Sequence, residues 1–178
     1  IWMQMIYEMS AVEKVKLINH IFYGAYGFSG NTTNHQDPQN SYLSQVLESK
    51  KGNQILLAVI YSIIAQKLDI PVYGVHFILA YVDENPTEDF HVSQNVFENS
   101  ILFYINAFNK GFIFGRKDVD AFLKQLNLKP LNHFYEPCSN TEIIQRVLRN
   151  LISAYEKLSA VEKVAELEEL LSIFPEPR

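Results

Sequence analysis

The stretch from Gln54 to Leu68 reads QILLAVIYSIIAQKL. Its apolar residues fall on nearly every side of a helical wheel, so a helix here has almost no face to turn to water. The rest of the chain must therefore be built around it. Asp69 and Pro71 stop it, because proline lacks the backbone donor and pushes the preceding residue out of the helical region. The longest apolar part, Ile55 to Ala65, is broken by Ser62. It falls short of the ~18 residues read as a membrane span.

The chain has 178 residues, of which 48% are hydrophobic. That suffices for one good core, or one core with a small appendage. Its 12 Phe and 10 Tyr offer enough apolar area to offset chain entropy, so disorder is not expected. With 15 basic and 20 acidic residues the net charge is −5. A nucleic-acid binder needs a basic footprint, and none is present. Cys138 is the single cysteine, so an intrachain disulfide and a thiolate cluster are excluded, which fits a reducing compartment. The opening IWMQMIYEMS lacks the basic start and cleavage site of a signal peptide. It also lacks an initiator Met, so a trimmed chain, or one that begins inside a longer protein, is expected. The expected setting is cytoplasmic, with no membrane partner.

Around the central helix, patterning predicts further elements. Ser10 to Phe28 reads as a helix opened by the capping box Ser10-x-x-Glu13. Gly24 to Gln39 is turn-rich, and Asn40 to Lys50 reads as a helix capped by Asn40 or Ser41. Pro71 to Val82 reads as one strand, and Asp83 to Asn99 as a loop. Ser100 to Phe108 and Gly111 to Phe114 form a predicted hairpin. Helices follow at Lys117 to Leu126, Thr141 to Leu158 and Ser159 to Phe174, the last two so closely joined that antiparallel packing is implied. The hexapeptide SAVEKV occurs at Ser10–Val15 and again at Ser159–Val164, each copy reading as a capping box. Coincident helix-start chemistry explains it better than an internal repeat.

Asn40 to Gly52 reads NSYLSQVLESKKG and runs into the buried helix, then into IPVYGV. Further on come His76-Phe77-Ile78-Leu79 and Ile105-Asn106-Ala107-Phe108-Asn109-Lys110-Gly111. The C-terminal piece is RVLRNLISAYEKLSAVEKVAELEELLSIFPEP. In this order, from about Gly27 to Pro177, these motifs resemble the SirB-type transglutaminase-like family. The resemblance implies an α+β fold: a transglutaminase-like (papain-like) helical core on a small antiparallel sheet, plus a C-terminal antiparallel helix pair like a tetratricopeptide hairpin. The implied domains are residues 1–137 and 138–178. Two departures stand out. The family has about four more residues between Gly74-Val75 and His76, and it has Asp where this chain has Asn106. Either the loop is shortened, and the strand is then expected to run straight through His76, or the sequence skips residues at that junction.

In such enzymes a cysteine heads the buried helix, where the helix dipole and a nearby imidazolium lower its pKa. A histidine on an adjacent strand takes the proton, and an Asp or Asn orients that histidine. The matching positions are Gln54, His76 and Asn106. Asn106 can still orient an imidazole. Gln54 cannot attack a carbonyl, and loss of a nucleophile removes on the order of 10⁶ in rate. Cys138 precedes a helix and has His133 nearby in sequence, which leaves a substitute thiol open beside the reading of a buried connector residue.

Other motif positions admit plain and functional readings together. Asn40 and Ser41 read as caps or cleft residues, and Lys51-Gly52 as a helix end or an anion site. Phe108 and Asn109 belong to the second motif. His20 reads as a surface or packing residue, and His35 and His91 as solvated. His76 reads as a core histidine or a retained site residue. These histidines share no helical i, i+4 spacing and no His-Glu-x-x-His motif exists, so no metal and no cofactor is expected.

Three functions are open. The first is a catalytically inactive domain that binds a protein or peptide through a surviving cleft. The second is a hydrolase or acyl transferase working through His76 or Cys138. The third is a scaffold without a cleft ligand. With Gln54 at the nucleophile position, the expectation leans away from an enzyme.

Overall fold

The central helix, α3, spans Gln54–Lys67 and buries Leu57, Tyr61 and Ala65 completely. A computed structural model describes residues 7–76, 78–83, 100–125 and 127–175. The predicted loop over 84–99, with His91, lies outside them. Asn53 caps α3, its side-chain oxygen accepting from the Leu56 N–H at 2.9 Å.

Before it come α1 (Ala11–Asn19), a π-helical turn (His20–Ala25), β1 (Ser29–Gly30), a 3₁₀ turn (Pro38–Ser41), α2 (Leu43–Ser49) and β2 (Lys51–Gly52). The helix predicted over 10–28 is thus shorter and ends in a wider turn. The capping box at its start is present: the Ser10 N–H donates to Glu13 at 2.9 Å, and the Glu13 N–H returns to the Ser10 hydroxyl at 3.4 Å. Neither Asn40 nor Ser41 caps α2. Both lie in the 3₁₀ turn, which Asp37 caps, and Tyr42 heads α2 without a side-chain bond.

After α3 the strands are β3 (Val72–Gly74), β4 (Leu79–Val82), β5 (Ile101–Asn106) and β6 (Phe112–Phe114). They form one antiparallel sheet in the order β3-β4-β5-β6. The single strand predicted over 71–82 is corrected here. Gly74 pairs with Leu79, and the Val75 N–H reaches the Ile78 carbonyl at 2.8 Å. The chain thus reverses between Val75 and Ile78 instead of running straight through His76.

Period-two alternation gives this sheet two apolar faces. Val72, Leu79, Tyr81, Ile105 and Ile113 join the core of α1 and α3. Ala80, Tyr104 and Phe114 face a second cluster, formed with Val119 and Leu123 of α4 (Arg116–Gln125) and with Phe134 and Tyr135.

The chain closes with α5 (Asn140–Lys157) and α6 (Val161–Ser172). Gln145, near the start of α5, donates to the Pro175 carbonyl beyond the end of α6 at 2.7 Å, which makes the pair antiparallel. The second SAVEKV copy does not cap α6. Ser159 is left-handed, with φ of 56°, and its N–H closes on Glu156 at the end of α5. Ser139 and Glu142 form the other capping box, at the head of α5. Among the described residues no helix is long and apolar enough to cross a membrane.

Candidate functional site

Gln54 is the first residue of α3, and Asn106 the last of β5. Both line one open cavity of about 210 Å³. Its apolar wall includes Phe112, Phe114, Phe122 and Phe134, and Asp118 also lines it. Asn106 pairs with Phe112 across the sheet, and the even-numbered residues Asn106, Phe112 and Phe114 lie on the face turned to α4. The Asn106 side-chain oxygen accepts from the N–H groups of Phe108 and Asn109, both at 3.1 Å. It therefore shapes the turn after β5.

His76 stands elsewhere. It lines a separate small pocket with Ile55, Ser62 and Arg146. Its ring meets Phe134 edge-on, with centroids 4.9 Å apart. Phe134 thus belongs to both environments. The structure brings Gln54 and Asn106 to one cavity and puts His76 at the hairpin turn beside it.

Cys138 lies near that turn. Its thiol donates to the Gly74 carbonyl at 3.1 Å and its N–H to the same oxygen at 2.8 Å. The Arg146 guanidinium donates to the sulfur at 2.9 Å and to the Val75 carbonyl at 3.1 Å. Burial is the largest influence on the thiol and pushes its pKa up, against the opposing pull of Arg146. A thiol held protonated is a poor nucleophile. Its bonds instead fasten the head of α5 to the β3–β4 hairpin.

The Asn40 motif is a buried polar network. Asn40 donates to the Asn34 carbonyl at 2.7 Å and accepts from the Asn31 side chain at 2.9 Å. The Ser41 hydroxyl accepts from Asn53 at 2.7 Å. Since Asn53 caps α3, these residues fix where the central helix begins, and so where Gln54 stands. Lys51 is exposed on β2, while Gly52 is buried. A Cβ on Gly52 would come within 2.8 Å of Val46. Phe108 lies over Gly30, where an added Cβ would meet its ring at 2.5 Å. Asn109 is exposed in the following turn.

The tyrosine hydroxyls find partners, as expected of core aromatics. Tyr61 donates to Asn19 at 2.8 Å, Tyr104 to the Tyr135 carbonyl at 3.4 Å, and Tyr42 shares a 3.0 Å bond with Tyr155. His20 and His35 are exposed. Among the described residues no group of three or more His, Cys, Asp or Glu is placed to hold a metal.

Sequence reasoning missed the aromatic wall. The alternation Phe112-Ile113-Phe114 was the available signal, because it turns both rings to the same face. Arg146 and Asp118 carried no motif and emerge only from packing.

Comparison with known proteins bears on this geometry. Residues 1–149 match the model of the transglutaminase-like superfamily. A UPF0162 protein of Xylella fastidiosa is 30% identical over 95% of this chain and 61% of its own length. One from Vibrio cholerae is 28% identical over 84% of this chain and 53% of that protein. F-box only protein 21 of Homo sapiens is 28% identical over 76% of this chain and 21% of its own length. The chain spans about three fifths of the length of the Xylella relatives. No solved structure gives a significant match. On the family match, which takes in the central helix, the sheet and the residues lining the cavity, the chain belongs to the transglutaminase-like superfamily.

Proposed function

We propose that this is a catalytically inactive transglutaminase-like domain that binds a protein or peptide through its cleft. The cleft is the cavity bounded by Gln54, Asn106 and the phenyl wall. The observation that carries the reading is Gln54 itself. An amide stands at the head of the central helix and lines a cavity that remains open. The SirB-type kinship, the papain-like relation of helix to sheet and the division at residues 137/138 belong to the same proposal. So do the tetratricopeptide-like character of α5–α6 and a cytoplasmic setting. The alternative, a hydrolase or acyl transferase using His76 or Cys138, meets at Cys138 a thiol whose pKa is raised by burial.

Selection of displayed random peptides on the protein tests this reading. Enriched peptides should lose binding to a Phe112→Ala/Phe122→Ala variant that keeps its circular dichroism. Peptides that bind both proteins equally would place recognition outside the cleft and overturn it.

A further inference from the structure

The cavity combines two features that an apolar slot does not need. Phe112 and Phe122 are only partly covered, at 61% and 43% exposure, and with Phe114 and Phe134 they line the cavity with aromatic rings. Asp118 is the one charged side chain among the described residues that line it. One of its oxygens accepts from the Gly115 N–H at 2.9 Å. The adjacent Arg116 guanidinium lies over the Tyr135 ring, 4.2 Å from its centroid. The chain as a whole carries −5, which favours the approach of a cation.

A weakly hydrated, flat cation suits this combination. Guanidinium is stripped of water more easily than ammonium and stacks on aromatic faces. A volume of about 210 Å³ lies below the ~300–1,000 Å³ of a drug-sized site, and so suits one long side chain. We propose that the cavity takes an arginine side chain of a bound peptide, with the guanidinium against the phenyl rings and Asp118 as its counter-charge. This rests on the cleft-binding reading above and names what the cleft recognises.

The test uses three short peptides that differ at one residue: arginine, its neutral isostere citrulline, and norleucine. Binding is followed by the chemical shifts of the phenylalanine rings in the whole chain. The arginine peptide should bind at least about tenfold tighter than the citrulline peptide, a difference of about 1.4 kcal/mol. Asp118→Asn should reduce arginine binding to the citrulline level, and added salt should weaken it. Equal binding of arginine and citrulline would overturn the inference, as would tighter binding of norleucine; both outcomes leave the cleft-binding reading standing. If none of the three peptides shifts the ring signals, the inference is overturned and the cleft reading loses its support with it. The wild-type comparison needs no variant to fold.

Discussion

Gly30 and Phe108 are a matched pair, because the ring occupies the space where any other residue would carry its Cβ. Gly30→Ala should cost about 1–3 kcal/mol, the range for overpacking, in urea denaturation. In a Phe108→Leu background most of that cost should vanish, since the two changes share one contact. An equal cost in both backgrounds would show that backbone freedom, not the ring, selects glycine. Cys138 allows a chemical check at the same scale. Its raised pKa and its bonds to Gly74 and Arg146 predict slow alkylation by iodoacetamide at pH 8. The rate should rise about tenfold or more on unfolding in urea, as the thiolate fraction and access recover. Fast alkylation of the native protein would reopen a nucleophilic role.

The two copies of one hexapeptide show how far an element can be read from its residues. Ser10 caps α1, whereas Ser159 ends α5 in the left-handed region. Ser10→Ala should cost about 1 kcal/mol. Ser159→Gly should be neutral or stabilising by up to about 1 kcal/mol, because glycine takes positive φ without strain. Thermal denaturation of both variants separates these signs. The local pattern was legible but its use was not, since a helix ending at Leu158 leaves Ser159 no room to act as a cap. The same limit hid the β3–β4 turn. Its strand residues are largely apolar on both sides of His76, and only the pairing of β3 with β4 reveals the reversal. By contrast α3, the β5–β6 hairpin and the closing helices were legible, because their patterns are long or carry a clear turn. At the head of α5, the Ser139 N–H and hydroxyl hold Glu142 below the usual carboxylate range. A depressed pKa adds stability above the ordinary value of 4.5 and loses it as pH falls through the folded value. Glu142→Gln should therefore melt lower than the parent at pH 7, and the gap should narrow as pH falls below the ordinary value of 4.5.

At the scale of the molecule, polar contacts among the described residues tie the closing helix pair to the core, among them the Tyr42–Tyr155 hydroxyl bond and the Cys138–Arg146 group at the hairpin. Burial and the Tyr155 bond push the Tyr42 pKa up to about 12. The raised pKa contributes stability that is full below the ordinary value of 10 and is lost as pH rises toward 12. The candidate site was half legible in the sequence. Gln54 and Asn106 were marked by motif, and they line one cavity. The phenyl rings and Asp118 come from separate elements joined only by folding, so no spacing marks them. What unites the scales is a helix head that borders an open cavity and carries the amide of Gln54. The most direct measurement is amide hydrolysis and amine incorporation on a mixed peptide pool, with and without iodoacetamide. Turnover at background level, unchanged by the reagent, is predicted. Turnover above background that the reagent abolishes would contradict a binding domain and restore an enzyme.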